Sequence, residues 1–518
     1  MGAESASLGW AAMGTTVACQ AAGGASLVPV VICGAGPVGL VLAWELAAWR
    51  VPVLLVDRQR LHAQFPRGRA ISTRSMEILR QLGLEREVTE ISLPRTETAH
   101  FFAGPSLTAA RFGRIGSSSS GRGGDVLSPV AGLGCPQDRL EALLRRQVGR
   151  HPLIDARFGT ELVDAEQRGD HVRVRLGTGS TSSTVVWATW LVGADGARSR
   201  VRQLAGIQTD ALSVSCSNIN ILIDADLRPV IGDRLSLVYT ISNDNVHATV
   251  LTVDNKRRWL VNVLLPGDSR IDPTSAWCDR MVCAALGRDD VAFRVVTWSR
   301  WEAVAWLASG YREGRMLLVG DAAHVCTPFG GFGMNLGLAD AHNLAWKLAL
   351  CVIGRAGDDI VETYEQERRP IGAVTVAESA ERLAAARAEH TSGVTRRGEI
   401  TPRPSDGLVL GGTYRSAAVH AEDEPLPEGV ATYRPEAAPG RRAPHLWLAD
   451  GRSTLDLFGP WFTLLTGPGY RDPARFPVPE PVHRHRLDRG ALAAYGIGDG
   501  GAVLVRPDGH VAWRQISR

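Results

Sequence analysis

Hydrophobic positions along the chain change period twice, and each regime predicts a different kind of element. From Val28 to Cys33 every residue but Pro29 is apolar and the run ends in glycines, as in a strand buried on both faces of a parallel sheet. A helix over Pro37–Trp49 and a second apolar run, Val53–Val56, complete a βαβ unit. Further amphipathic helices are predicted at Ser72–Leu82 and at Pro136–Arg150, where Leu140, Leu143, Leu144 and Val148 share one face. From Ala156 to Leu191 the period shortens to two, as in Val172, Val174 and Leu176. The same alternation continues through Ile219, Ile221 and Ile223, then Leu235–Ile241, Ala248–Val253 and Trp259–Leu265, which predicts successive antiparallel strands of one sheet able to floor a pocket. A helix at Ser275–Leu286 and a strand near Val291–Trp301 follow. The apolar strand Met316–Val319 then runs into a glycine-rich turn and two long helices, Met334–Val352 and Ile360 to about Glu389.

Segments without periodicity separate these elements. Met1–Leu27 is rich in Ala, Gly and Ser with no basic start ahead of an apolar core, which predicts a flexible tail and not a signal peptide. Gly113–Gly134, with Ser117–Ser120 inside it, reads as a mobile loop or a disordered linker. Residues 391–443 carry Pro, Gly and Arg and predict a linker wrapping the surface. Beyond it, Leu446–Leu448, Phe462–Leu465 and Val503–Val505 are strand-like, and Pro507, Asp508 and Gly509 form a hairpin turn, so 444–518 reads as a small separate α/β domain.

Composition narrows the function classes. At 518 residues the chain holds roughly three domains of ordinary size, enough for a large core and an internal cleft. Basic and acidic residues nearly cancel, 57 against 54, too little excess for a protein built to neutralise a phosphate backbone. Only Lys256 and Lys347 are lysines, so the basic residues are almost all arginine, a bias that codon usage accounts for. No run reaches the roughly 18 to 20 apolar residues of a membrane span. Eight cysteines without a C-x-x-C pair argue against a disulfide scaffold or a zinc site, and a cytoplasmic location is expected with no metal, nucleic-acid or membrane partner.

The chemistry lies in three glycine-rich segments. In Gly34-Ala-Gly36-Pro37-Val-Gly39, placed between strand and helix, Gly34 allows the tight turn, Gly36 lets a pyrophosphate approach the backbone, and Gly39 lets helix and sheet pack closely. Asp57, 18 residues beyond Gly39 at the end of the next strand, can accept from a ribose diol, and Arg58 follows it. This motif predicts a dinucleotide without separating NAD from FAD. The second segment is Gly193-Ala-Asp195-Gly196-Ala-Arg198-Ser199-Arg-Val-Arg202. The third is Gly320-Asp321-Ala-Ala-His324, continuing into Pro328-Phe-Gly330-Gly331-Phe-Gly333-Met334-Asn335.

With these three segments in order, the chain resembles the class A FAD-dependent aromatic hydroxylases, which have the para-hydroxybenzoate hydroxylase fold. Within them it is most similar to natural-product tailoring hydroxylases such as the tetracenomycin and rebeccamycin pathway flavin monooxygenases. Arg69-Ala-Ile-Ser-Thr-Arg74, Cys135-Pro-Gln137-Asp-Arg139, Arg442-Ala-Pro-His445, Ser453-Thr-Leu-Asp-Leu-Phe458 and Val503 to Trp513 carry that likeness. The resemblance implies an α/β chain: a Rossmann-like FAD-binding domain, an inserted mainly antiparallel β-sheet substrate domain and a C-terminal thioredoxin-like domain. The expected division is a tail at 1–28 and FAD-binding parts at 29–101, 133–207 and 306–390. Residues 102–132 form a loop and substrate-domain segment, 208–305 the substrate domain, 391–443 the linker and 444–518 the thioredoxin-like domain, which has no cysteine for thiol exchange.

Carried over residue by residue, the resemblance implies that Asp321 holds the ribityl chain of FAD and that the loop from Gly320 to Gly333 lies along the isoalloxazine. The N–H groups of Met334 and Asn335, with Gly333, face the flavin pyrimidine at a helix N-terminus, and Pro328 lines the reactive edge. Arg69, Gln137, Asp195 and Arg198 join Gly34, Gly36, Pro37, Gly39, Asp57, Arg58 and Gly320 as cofactor contacts, and Arg69 is also a candidate to receive NAD(P)H. Bland readings stand beside these: Asp195 as a helix cap, Arg198 and Arg202 as surface cations, His324 as a packed neighbour, Cys33 and Cys326 as small hydrophobes. Trp298, Trp301 and Trp306 read equally as core or as stacking partners for a substrate. The implied activity is NAD(P)H- and O2-dependent hydroxylation of a phenolic or polycyclic aromatic molecule through a flavin C4a-hydroperoxide. Its alternatives are Baeyer-Villiger insertion or oxidative rearrangement on the same scaffold, and a non-catalytic FAD binder that sequesters a reactive intermediate. The protein is expected as a monomer or homodimer.

Overall fold

A computed structural model describes residues 27–61, 68–98, 100–114, 127–179, 182–265, 271–397, 403–420, 432–471 and 480–517. The expected tail up to residue 26 and the Ser117–Ser120 loop lie outside them.

The first layer is a sheet centred on Leu27–Cys33. Its strand order is Arg312–Glu313, Met316–Leu318, Ser182–Gly193, Leu27–Cys33, Val53–Asp57, Ile154–Phe158. The four pairings among the five strands beyond Arg312–Glu313 are parallel. Val30, Val31 and Ile32 are fully buried, which is why this strand reads as an unbroken apolar run. Helices Pro37–Ala48 and Gly333–Val352 pack against each other and share one core with the sheet. Two antiparallel strands, Glu161–Arg168 and His171–Thr178, extend from the early half of Ser182–Gly193.

The second sheet runs in the order His324–Val325, Phe293–Ala308, Thr209–Ala225, Arg258–Leu264, His247–Thr252, Val238–Ser242, His100–Gly104, Arg111–Arg114. One face, with Ile219, Ile221, Ile223, Tyr239, Val250, Trp259 and Val261, packs on helix Ser275–Leu286. The opposite face carries Asn220, Leu222, Leu260, Asn262 and Leu264, paired across the Thr209–Ala225 and Arg258–Leu264 strands. The boundary expected between residues 101 and 102 cuts through His100–Gly104. That strand belongs wholly to this sheet, paired in parallel with Val238–Ser242, with Phe102 stacked on Tyr239 at 5.6 Å between ring centroids.

The third sheet runs Val482–Arg486, Phe462–Thr466, Ala502–Val505, Val511–Gln515. The strand expected at Leu446–Leu448 does not form. Its backbone closes on its own turn, Leu448 N–H to the Arg452 carbonyl at 2.8 Å, leaving a single bridge from Trp447 to Ser453. The strand Val482–Arg486 was hidden by its Val-His-Arg-His-Arg sequence, which suits a half-solvated edge. The segment expected to wrap the surface instead buries Tyr414, Tyr433, Ala437 and Ala438. Among the described residues no helix is long and apolar enough to cross a membrane.

Candidate active site

The glycine triplet divides its work by position. Gly34 donates to the Val56 carbonyl at 2.8 Å and holds φ of +108°, and a Cβ there would lie 2.2 Å from the Ala194 carbonyl oxygen. A Cβ on Gly39 would lie 2.0 Å from the carbonyl oxygen of Gly34. Gly36 differs: a Cβ there would meet nothing within 4 Å. The two outer glycines are consumed by packing, and the middle one faces open space at the N-terminus of helix Pro37–Ala48, where a pyrophosphate has room and finds N–H donors. Asp57 accepts from the N–H groups of Ala35 and Gln59, each at 2.6 Å, so it also pins this turn; Arg58 beside it is exposed.

The Asp-Gly segment is built around a cap. Asp195 accepts from Ser199 Oγ at 2.5 Å and from the N–H groups of Arg200 and Val201 at 2.6 and 3.2 Å. Burial lifts its carboxyl above the usual range despite these donors. Arg198 is exposed. Arg202 is buried, with its guanidinium 4.5 Å from the Trp306 ring centroid, and donates to the carbonyls of Ala197 and Ala322, both at 2.9 Å. It therefore straps the Asp-Gly segment to the Gly-Asp loop, and Trp306 serves that strap.

Asp340, fully buried on helix Gly333–Val352, fixes the Gly-Asp loop from below. It accepts from Gly320 N–H at 3.1 Å and Arg368 Nε at 2.8 Å and pairs with His324 Nε2 at 2.6 Å. Burial would raise the Asp340 carboxyl, but His324 and Arg368 outweigh it and hold it low. His324 is thus a packed neighbour that orients the loop. Above it Asp321, Pro328, Gly330 and Gly331 are exposed. Burial pushes the Cys326 thiol up to about 12 and Cys33 well above its ordinary range, so both are inert small hydrophobes at neutral pH.

The helix N-terminus itself is locked by Asn335. Its Oδ1 accepts from Ser72 N–H and Ser75 Oγ, both at 2.8 Å, and its Nδ2 donates to the carbonyls of Ala70 at 3.1 Å and Gly331 at 2.8 Å. The first helical bond runs from Leu336 N–H to the Phe332 carbonyl, which leaves Gly333, Met334 and Asn335 N–H in the first turn, where a helix offers no acceptor of its own. Gln137 borders this turn through Gly68: its Oε1 accepts from Gly68 N–H at 2.9 Å, and Gly68 sits beside the Met334 sulfur. Arg69 is buried and donates to the Thr252 carbonyl at 2.6 Å, joining this segment to the second sheet, and burial lowers its pKa to about 10.

Glycine turn, Asp-Gly segment and Gly-Asp loop thus converge on one long helix beside a second sheet, the arrangement of a flavin-dependent monooxygenase. The chain belongs to the FAD binding domain family, whose model matches residues 27–379, and residues 436–518 match the aromatic-ring hydroxylase C-terminal model. It is 35% identical over 526 residues to the tetracenomycin B2 monooxygenase-dioxygenase of Streptomyces olivaceus, covering 94% of this chain and 95% of that one. It is 34% identical over 526 residues to the 4-methyl-5-nitrocatechol 5-monooxygenase of a Burkholderia species, covering 94% of each. The structure of the flavin-dependent monooxygenase PieE in complex with FAD and substrate superposes with a TM-score of 0.83 at 31% identity, covering 94% of this chain and 96% of that one.

Asp340, Arg368 and Thr252 escaped the sequence reading. A signal was present for the first: Asp340, His342 and Lys347 are charged or ionisable positions on a helix otherwise buried on nearly every side, and such groups need partners.

Proposed function

We propose that this enzyme uses NAD(P)H and O2 to hydroxylate a phenolic polycyclic small molecule, with FAD held as follows. Gly36 and the N-terminus of helix Pro37–Ala48 would hold the pyrophosphate, and Asp57 would accept from the adenosine ribose. Asp321 would hold the ribityl hydroxyls, and Pro328 to Gly333 would border the ring, with the N–H groups of Gly333, Met334 and Asn335 available to its pyrimidine. Arg69, Gln137, Asp195 and Arg198 complete the cofactor surround. The observation that carries this reading is the uncovered Gly36 at one helix N-terminus together with the first turn of helix Gly333–Val352, whose leading N–H groups have no acceptor within the helix.

When bound, FAD supplies the redox and oxygen-transfer chemistry. The chain's own contribution is orientation and charge. The helix N-terminus stabilises negative charge at the pyrimidine edge. Asn335 and Asp340 hold the loop that carries Pro328. Polycyclic phenols are the favoured substrates because tetracenomycin B2 monooxygenase-dioxygenase is similar along nearly its whole length.

The test is anaerobic reduction of the purified flavoprotein by NADPH and by NADH, with and without hydroxylated polycyclic quinones. Reduction accelerated by a polycycle, followed on aeration by a product one oxygen heavier with the ring count unchanged, is the expected result. A protein that binds no FAD, or whose reduction no polycycle accelerates, overturns the proposal.

A further inference from the structure

Helix Asp359–Thr391 packs on part of the face of the second sheet turned away from helix Ser275–Leu286, along strand Phe293–Ala308. Val376, Ala380, Leu383 and His390 fall on one stripe of that helix, spaced four, three and seven residues apart. Val376 and Ala380 cluster with Ala305, with Cys326 packed alongside at the end of the Gly-Asp loop. Leu383 clusters with Leu264 and Ala303, with Trp301 and with Phe329, the neighbour of Pro328. His390 meets His247 of the sheet, ring centroids 5.2 Å apart. The stripe therefore starts at the loop assigned to the flavin and ends seven residues past Leu383, about 10 Å further along the helix, the scale of a fused ring system.

The chemistry of the side chains beside the stripe changes along it. Near Phe329 it is apolar and aromatic. At the far end it is polar and reaches the surface: the exposed His247 pairs through Nδ1 with Ser242 Oγ at 2.9 Å, and between the two ends Asn262 donates to Asn220 Oδ1 at 2.6 Å on the same sheet face. His390 is only 7% exposed, yet among the described residues its Nδ1 has no hydrogen-bond partner, and neither does Trp301 Nε1. Buried polar atoms in native proteins are nearly always satisfied, so an imidazole nitrogen left unpaired beside a polar pair marks a place where a ligand supplies the partner. Burial, with help from His247, lowers the His390 pKa to about 4, so the ring is neutral at working pH and its nitrogen serves as acceptor or, in the other tautomer, as donor.

We propose that His390 is a specificity-determining residue that hydrogen-bonds a hydroxyl or carbonyl on the substrate ring most remote from the flavin. This rests on the monooxygenase reading for the orientation of the substrate but not for its binding. The contact selects polycycles oxygenated at both ends over those oxygenated only at the reacting ring.

The experiment uses the FAD-loaded protein and two probes: an anthraquinone hydroxylated on both terminal rings, and its analogue lacking the hydroxyls of one ring. Affinities are read from the quinone absorbance, and NADPH oxidation is followed in parallel. The wild type is expected to bind the doubly substituted quinone at least about tenfold more tightly, because a site built to bond a hydroxyl leaves its own group unpaired with the analogue. His390→Phe brings the ratio near one, and His390→Gln restores part of it, at unchanged FAD content; His390→Leu gives the same reading if the larger ring disturbs folding. A wild type without preference, or a preference that survives every His390 variant, overturns the inference. A wild-type preference that the His390 variants lose, without any stimulated NADPH oxidation, would instead count against the proposed hydroxylation and leave the His390 contact standing.

Discussion

At the scale of single residues, Asn335 shows how a side chain tunes a site through the backbone it holds. Its carboxamide spends two acceptor and two donor bonds on Ser72, Ser75, Ala70 and Gly331, so the helix N-terminus, the loop and the segment after Arg69 move as one piece. Asn335→Ala removes all four bonds, at a net cost of roughly 2–4 kcal/mol to folding. FAD affinity is expected to fall by about tenfold as Gly331 and the first helical turn lose their register, roughly 1.4 kcal/mol of binding. Apoprotein melting and flavin fluorescence quenching separate the two: lower stability with FAD affinity unchanged would show that the latch serves folding alone. The glycine triplet was legible in the sequence because its spacing encodes local geometry. The Asn335 latch was not, since it joins residues more than 250 positions apart and no local pattern marks that proximity. The same holds for His390, whose place at the end of a buried stripe depends on which sheet the helix crosses.

At the scale of elements, the glycine triplet's helix and the Gly-Asp loop meet where helices Pro37–Ala48 and Gly333–Val352 cross. A Cβ on Gly337 would lie 2.6 Å from Val38 Cγ2 and 2.9 Å from the Gly320 Cα, so one missing side chain lets the triplet helix, the long helix and the Gly-Asp loop touch. Gly337→Ala overpacks this crossing and is expected to cost about 1–3 kcal/mol. It should also weaken FAD binding, because both helix N-termini are displaced. Adding Val38→Ala relieves the clash with the flexible side chain but not the one with the Gly320 backbone, so the double variant should recover only part of the melting temperature and flavin content. Complete recovery, or no loss in the single variant, would refute the close-crossing account. Periodicity located both helices to within a residue or two, since their apolar faces are long. It could not show their crossing point, which Gly337 sets by what it lacks.

At the scale of the whole molecule, the C-terminal domain is fastened by buried charge. Arg506 donates to both oxygens of Glu367, at 2.6 and 2.8 Å, and Lys347 Nζ reaches the same carboxylate at 2.7 Å. Asn343 and Trp346 donate to Asp508, and Arg442 grips Glu77 on helix Thr73–Gln81. The hairpin turn read at Pro507–Gly509 is therefore also a plug seated against helices Gly333–Val352 and Asp359–Thr391, whose buried polar side chains it satisfies. Burial alone would raise Glu367, Asp508 and Glu77, but Arg506 at the first two and Arg442 at the third outweigh it and hold all three below the ordinary carboxylate range. A carboxylate with a depressed folded pKa contributes stability that is complete above its unfolded value and lost as pH falls toward the folded one. Lys347 is the opposite case. Burial lowers it to about 8 from 10.5, so it is charged in both states below pH 8 and adds nothing to an acid transition. Unfolding free energy from these groups should thus be flat from pH 7 to about 4.5, the ordinary glutamate value, and decline below it. Glu367→Gln leaves Lys347 and Arg506 without their shared anion, which should cost about 3–5 kcal/mol at pH 7. It also removes one titrating group, so its urea-unfolding free energy should fall less steeply than the wild type's below pH 4.5. Parallel acid slopes for the two proteins would show that Glu367 keeps an ordinary pKa and that the plug is held by packing instead of charge.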